Sequence, residues 1–299
     1  MKSSRGLPSR ALDGVRVFFF GTTTGEAGAL FRMGFGALLT WYFVVLIGWN
    51  LDRYYGEGGV FPFAAFQESG GGLTVLALSK SPALLWGTWV VSLLAALAFA
   101  AGFHARVAAA LVYVGVLSFQ NRNPFIVNGA ERLLLPLSFL AIFAPLSLRW
   151  AVSERGKEAG RKATVFGLAL IRMQIVIVYT ATFFLKVKEP IWRSGGAISK
   201  ALDAPTMSRV VGGLGSEGLE RALTYGTLVV EALFFLVLWR RFRPWVLVAG
   251  VLLHLSIEAL MIVTIFSATM LVSYLALLGD EDVKAILRRL RKLRGASRD

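Results

Sequence analysis

The sequence predicts an all-α, polytopic membrane protein with about eight transmembrane helices and both termini in the cytoplasm. Three observations predict this class. Of the 299 residues, 56% are hydrophobic and only 17% are charged, whereas roughly a quarter of a soluble domain is charged. The mean hydropathy is +0.64, and the apolar residues gather in segments long enough to cross a bilayer. The basic residues fall mainly in the connections on one side of these segments.

Eight apolar segments define the predicted organisation. They fall at 28–50, 83–103, 105–120, 133–150, 164–185, 222–239, 244–264 and 267–279. Most have the roughly 17–25 residues that cross the hydrocarbon core, and the third and eighth are short. The chain is thereby divided into an N-terminal cytoplasmic or interfacial arm (1–27), a transmembrane domain (28–279) and a basic amphipathic C-terminal helix (280–299).

The formal charge of +14 is distributed unequally between the two sides of the membrane. With a cytoplasmic N-terminus, the inner segments carry about +12 and the outer segments about +2, as the positive-inside rule requires. This predicts a multi-pass plasma-membrane protein. The long outer connections 51–82 and 186–221 make the extracytoplasmic side the expected functional face.

Several chemistries are disfavoured by composition. The chain has no cysteine and only two histidines, so no metal site is predicted. Its basic residues alternate with apolar segments instead of lining one face, so no nucleic-acid partner is predicted.

The C-terminal segment has the pattern of an amphipathic helix. Asp280 is its expected N-cap, and apolar residues recur at helical spacing through 283–294 among lysines and arginines. We expect this helix to lie on the anionic lipid of the inner leaflet. The alternative is a solvated tail that only determines topology.

Ionisable residues inside a membrane segment are costly and indicate function. Arg172, Tyr179 and Lys186 are seven residues apart in the fifth segment, so they share one helical face. This polar stripe predicts the lining of a cavity. The alternative for Lys186 is a snorkelling anchor at the end of a helix.

His254 and Glu258 are four residues apart in the seventh segment and therefore adjacent on one helical face. A carboxylate beside an imidazole predicts a proton relay, and the alternative is a structural pair that joins helices. Glu231 in the sixth segment is interpreted as the counter-ion of Arg32 or Arg172, a choice that the sequence leaves open.

The connection QNRNPFIVNGAERLLLP brings amide, guanidinium and carboxylate groups to the outer ends of the third and fourth segments. Turn formation explains part of it, because Asn-Pro and Asn-Gly favour loops. Amide and guanidinium groups also bind carboxylates and oxyanions. The residues predicted to bind a ligand here are Asn121, Arg122, Asn123 and Glu131.

Four segments resemble the horizontally transferred transmembrane (HTTM) family, which includes the membrane domain of vitamin K-dependent gamma-glutamyl carboxylase. They are RMGFGALLTWYF, NRNPFIVNGAER, RMQIVIVYTATFFLKVKEPIWRSGGA and HLSIEALMIVTIFS, and the similarity covers about residues 10–279. The most specific piece is QIVIVY followed by a lysine and then by Trp192. Matching without gaps places the family's catalytic lysine at Lys186, with Lys188 as a competitor, and a family histidine at His254.

The resemblance implies a carboxylase-like or monooxygenase-like enzyme whose cofactor is a reduced, vitamin K-like quinone. In that reaction, oxygenation of the hydroquinone yields a strong base that abstracts a proton so that carbon dioxide can add. Lys186 is then the base that deprotonates the hydroquinone, and His254 and Glu258 support it. A lipid-soluble molecule and a protein or peptide substrate are the implied partners. The competing interpretation is a non-catalytic membrane partner, such as a maturation or immunity factor for a secreted peptide.

Overall fold

The computed structural model describes residues 7–154, 161–263 and 265–296. Residues 1–6 of the predicted arm, 297–299 of the predicted C-terminal helix and Thr264 of the seventh predicted segment lie outside this part. Nearly all described elements are helical, and the strands are the two-residue β1 (Thr22–Thr23) and β2 (Ala163–Thr164), which pair antiparallel. By its contacts, the chain divides into unit 1 (residues 1–171 and 278–299) and unit 2 (residues 172–277).

Unit 1 begins with α1 (Leu7–Phe20) and a continuous helical stretch. In this stretch α2 (Glu26–Trp41) is followed by a π-helical segment (Tyr42–Ile47), a 3-10 turn (Gly48–Asn50) and α3 (Leu51–Tyr55). The remaining helices are α4 (Phe63–Glu68), α5 (Pro82–Ala101), α6 (Ala105–Arg122), α7 (Gly129–Ala141) and α14 (Asp280–Ala296), with 3-10 turns at Val75–Ala77, Pro124–Ile126 and Val152–Glu154.

Helix α8 (Phe166–Lys188) starts at the end of unit 1 and continues into unit 2. Unit 2 also contains α9 (Pro190–Arg193), α10 (Ala197–Leu202), α11 (Glu217–Leu233) with a 3-10 continuation (Phe234–Leu238), α12 (Arg243–Leu260) and α13 (Phe266–Leu277).

Five described helical stretches are long and apolar enough to cross a membrane. They are Glu26–Tyr55, Pro82–Ala101, Phe166–Lys188, Glu217–Leu238 and Arg243–Leu260. The other three predicted segments correspond to α6, α7 and α13, which are shorter or more polar. The all-α membrane architecture is therefore confirmed, whereas the count of eight spans stays a prediction.

Two of the predicted segments end at least four residues earlier than expected. The fourth, expected to reach residue 150, ends as helix α7 at Ala141. Pro145 lies four residues further on, and a proline disfavours helical backbone at the residue before it. The seventh, expected to reach residue 264, ends at Leu260. Here the chain leaves the helix because the N–H of Ile262 donates to the carbonyl of Met207 at 2.8 Å.

The α2–α5 packing depends on a glycine. A Cβ built at Gly36 would lie 2.6 Å from the Cα of Ala100, so any side chain would push the helix backbones apart. Near the end of the same pair, the indole N–H of Trp89 donates to the carbonyl of Phe43 at 2.7 Å. This bond adds a second donor to a carbonyl of the π-helical segment that already accepts the N–H of Gly48.

Asp280 connects the C-terminal helix to the start of α2. Its carboxylate accepts hydrogen bonds from the Thr23 hydroxyl at 2.6 Å, the Thr24 N–H at 2.8 Å and the Ala27 N–H at 3.0 Å. It therefore caps the N-terminus of α2. The prediction that Asp280 is the N-cap of its own helix is wrong, because it is the first residue of α14. Burial alone would raise the pKa of Asp280, but these hydrogen bonds hold it below its usual range.

Asp280→Asn is expected to lower the free energy of unfolding by about 1–2 kcal/mol at neutral pH, because an amide lacks the charge and the second acceptor oxygen of the cap. Since the folded pKa is depressed, this stabilisation is present above about pH 4 and is lost as the pH falls through the folded pKa. Thermal unfolding in detergent at pH 7 and near pH 3 measures both effects. Glu281→Gln, in the same helical turn, is the matched control, and equal melting temperatures for Asp280→Asn and the wild type at pH 7 would contradict the capping role.

Candidate functional site

Unit 2 contains an ion pair at the end of α8. The Nζ of Lys186 lies 2.5 Å from Oε1 of Glu231, which projects from α11. The Glu231 side chain is 6% exposed and that of Lys186 is 26% exposed. The ammonium also lies 4.5 Å from the ring centre of Trp192, a cation–π contact. Glu231 is thus the counter-ion of Lys186, and the expectation that it pairs with Arg32 or Arg172 is wrong.

Only one of the two carboxylate oxygens of Glu231 takes part in the ion pair. Its second oxygen, Oε2, is buried and accepts no hydrogen bond of regular geometry from the described residues, although the Thr182 hydroxyl lies close enough to interact with the carboxylate. A buried carboxylate oxygen without a donor is unfavourable in an apolar environment. A hydroxyl or N–H group brought within hydrogen-bond distance would satisfy this oxygen.

Two turns along α8 from Lys186, Tyr179 forms a second buried polar cluster. Its hydroxyl lies 2.6 Å from Nε2 of His254 on α12 and also hydrogen-bonds the hydroxyl of Tyr274 on α13. The ring of Phe234 stacks on that of Tyr179 with centroids 3.6 Å apart. All four side chains are at most 5% exposed, and Nδ1 of His254 has no partner in the described part of the chain.

The two clusters are neighbours because they share elements. Tyr179 and Lys186 lie on one face of α8, separated by about 10 Å along the helix axis. Glu231 and Phe234 are three residues apart at the end of α11. The structure therefore brings Lys186 and Tyr179 of the fifth predicted segment into one region with His254 of the seventh, and it adds Glu231, Phe234 and Tyr274.

Tyr274 was not predicted from the sequence. It lies within an apolar helix that carries no charged residue. The one available signal was a phenol in an otherwise hydrophobic run, since a buried tyrosine hydroxyl needs a hydrogen-bond partner.

Glu258 lies elsewhere on α12. Its Oε1 is 3.3 Å from an Nη of Arg209, and its side chain is 44% exposed. The same guanidinium donates to the carbonyls of Glu258 and Met261, at the C-terminal end of α12. The predicted contact in which Glu258 orients His254 is therefore replaced by an ion pair with Arg209, and His254 bonds Tyr179 instead.

The two membrane-embedded arginines bind backbone carbonyls. Arg172 donates from Nε to the carbonyl of Ala276 at 2.7 Å, near the end of α13. Arg32 is fully buried in unit 1. Its guanidinium donates to four carbonyls, those of Ala100, Leu146, Arg149 and Trp150.

The ligand-binding residues predicted in the 121–132 connection lie in unit 1 and make structural contacts with the protein itself. Asn121 and Asn123 donate to the carbonyls of Leu73 and Tyr54, both at 2.8 Å. Glu131 accepts the N–H of Asn128 in a capping box that starts α7. The two asparagine contacts attach the 51–82 connection to the end of α6, whereas the capping box is local to the start of α7.

Arg122 is the most buried charge of this connection, at 2% exposure. It donates to the carbonyl of Phe61 at 2.9 Å and to that of Tyr55 at 3.1 Å. The rings of Phe61, Phe63 and Phe66 surround its guanidinium carbon at 5.1–5.9 Å from their centres.

Unit 2 also holds an apolar cavity of about 300 Å³ between α10, α11 and α12. Thr227, which lines it, is one helical turn from Glu231, and Leu253, also in its wall, precedes His254. A lipid-soluble molecule would meet mainly aliphatic side chains in this cavity.

The apolar helices, with their few paired or hydrogen-bonded buried charges, define the class: this is an integral, multi-pass helical membrane protein. The chain belongs to the HTTM domain family, whose model matches residues 22–280. This confirms the family indicated by the sequence motifs. No curated protein and no solved structure shows significant similarity to the chain.

Proposed function

We propose that this protein is an HTTM-family enzyme that binds a quinol-type, lipid-soluble molecule at Lys186, Glu231 and Trp192. The observation that carries the proposal is the buried ion pair with one carboxylate oxygen left without a donor. A hydroquinone has the matching chemistry, since it is a flat aromatic with a hydroxyl that can donate to Oε2 and a face that can pack on Trp192.

The residues fit the chemistry of such a ligand. A reduced quinone, when bound, supplies an acidic hydroxyl whose deprotonation prepares it for reaction with oxygen. Nζ of Lys186 is hydrogen-bonded to Oε1 of Glu231, so a proton can pass between the two groups. With that proton on Glu231, the Lys186 amine is neutral and takes the ligand's proton at Nζ. The resulting ammonium then stabilises the anion.

His254, Tyr179 and Tyr274 support this site as a hydrogen-bonded group. Nδ1 of His254 is buried without a partner in the described residues, so it can exchange a proton with a water or a ligand group. The stacked Phe234 ring keeps Tyr179 in place. Their role is to hold α8, α12 and α13 in register around the ion pair.

For the membrane arrangement we propose eight spans, cytoplasmic termini and a functional extracytoplasmic face in the plasma membrane. The charge difference between the two sides supports this orientation. Helix α14 then lies on the inner leaflet. Its apolar residues Ile286, Leu290 and Leu293 are 46–68% exposed, and the exposed cations Arg288, Arg291 and Lys292 lie elsewhere around the helix, where anionic lipid would neutralise them.

The proposed ligand is tested by extraction and binding. Wild-type protein and Lys186→Ala are purified in detergent, co-purifying quinones are identified by mass spectrometry, and binding of dithionite-reduced menadione is measured under anaerobic conditions. We expect binding by the wild type and at least a tenfold loss in Lys186→Ala, equivalent to about 1.4 kcal/mol.

Lys188→Ala is the matched control, because Lys188 is exposed and forms no ion pair with another described residue. It should bind like the wild type. If neither quinone nor reduced menadione binds the wild type, the proposal is wrong. If Lys188→Ala loses binding while Lys186→Ala keeps it, the assignment of the lysine is wrong.

A further inference from the structure

Unit 1 contains a second cavity, of about 490 Å³, that the proposed function does not use. It is formed by α3, the connections that follow it, the start of α5 and the end of α6. The volume lies within the range of roughly 300–1,000 Å³ that small-molecule sites occupy.

Charged groups of both signs line this cavity. They are Asp52, Arg53, Glu57, Lys80 and Arg122. Within the described residues, none of the five forms an ion pair. Only 17% of the chain is charged, so five charged side chains around one cavity is a marked concentration.

Arg122 is built as an anion receptor. Its two carbonyl bonds and three surrounding rings hold the guanidinium plane in place, and these bonds use only some of its N–H groups. A fixed guanidinium with donors left over binds a phosphate or a carboxylate with little loss of conformational entropy. The exposed Lys80 adds a second cation at the rim.

The two acidic residues that line the cavity, Asp52 and Glu57, can bind a cation. Glu57 lines the same cavity as Arg122, so both can contact one ligand. Its Oε1 accepts the N–H of Phe63 at 3.3 Å, which leaves Oε2 for an ammonium group. A ligand that satisfies both sets of charges carries an anion and a cation a few bonds apart.

The position of the cavity relative to the membrane indicates the source of such a ligand. Tyr55 is the last residue of the first membrane-spanning stretch, and Pro82 is the first residue of the next. Consecutive spans run in opposite directions, so both residues lie at the same membrane boundary, where phospholipid headgroups are found. We infer that this cavity binds the zwitterionic headgroup of a phospholipid, with the phosphate on Arg122 and Lys80 and the ammonium on Glu57 and Asp52.

The test compares lipids of different charge on the full-length protein. After reconstitution with equal amounts of phosphatidylethanolamine and phosphatidylglycerol, retained lipid is counted by native mass spectrometry. We expect preferential retention of phosphatidylethanolamine. Glu57→Gln should reduce this preference about threefold to fivefold, and Lys80→Gln should weaken retention of both lipids by a similar factor.

Glu68→Gln is the control, because Glu68 is an exposed acid that does not line the cavity. Since Glu57 and Lys80 are exposed, neither variant should unfold, and melting temperatures check this. Titration of delipidated protein with glycerophosphoethanolamine distinguishes a lipid from a soluble zwitterion. Stronger binding of the whole lipid than of the free headgroup supports the inference. Binding of the free headgroup without binding of the lipid would show that the ligand is not a lipid. Equal or greater retention of phosphatidylglycerol, or unchanged retention in both variants, overturns the inference.

Discussion

Arg32→Met is expected to lower the free energy of unfolding by about 3–5 kcal/mol, because four backbone carbonyls lose the donor that the buried guanidinium provides. The guanidinium joins the end of α5, through Ala100, to the turn formed by residues 146–150. Methionine fills much of the same volume but donates no hydrogen bond. The measurement is unfolding of the purified protein in mixed micelles, followed by circular dichroism.

Two variants make the Arg32 result specific. Arg32→Lys keeps the charge but has a single donor group, so an intermediate loss is expected. Arg240→Met changes an exposed arginine in unit 2 and should alter stability by less than about 0.5 kcal/mol. Arg32→Met with the stability of the wild type would show that the carbonyls find other donors.

Lys186→Met is expected to destabilise the protein by about 3–5 kcal/mol, because it leaves the buried Glu231 carboxylate without its counter-ion. Glu231→Leu should cost less, since the Lys186 side chain is 26% exposed and can reach water. The double variant Lys186→Met/Glu231→Leu should recover most of the loss, as replacement of a buried pair by apolar residues is often neutral.

The double-mutant cycle over these variants measures the coupling between the two side chains. Lys188→Met is the control and should change stability by less than about 0.5 kcal/mol. Additive losses in the cycle would contradict the ion pair. Ligand binding gives an independent result, because the double variant regains stability but should not regain quinol binding.

The helices could be predicted from the sequence because their signals are local. A run of apolar residues, a cap such as Ser81 before Pro82, and the capping box of Asn128 and Glu131 all act within a few residues. The basic amphipathic helix after Gly279 was predicted for the same reason. Helix ends were less predictable where distant groups replace the helical ladder, as Met207 does beyond Leu260.

The partners of the buried polar groups could not be predicted in this way. Helical spacing placed Glu258 beside His254, but both side chains turn to residues from other elements, Arg209 and Tyr179. The same spacing correctly put Lys186 and Tyr179 on one face of α8. It could not show that Glu231, 45 residues away, is the counter-ion of Lys186.

The sequence by itself determined the membrane class, the family, the main helices and the short set of residues in which chemistry is expected. Hydrophobicity and helical periodicity carry that information, and both depend on neighbours within a few turns. Only the tertiary structure decided which charges pair, which carboxylate oxygen is left without a donor and where the two cavities lie. These features arise because a buried polar group bonds whichever partner the packing of distant helices brings within about 3 Å, and no local pattern encodes that choice.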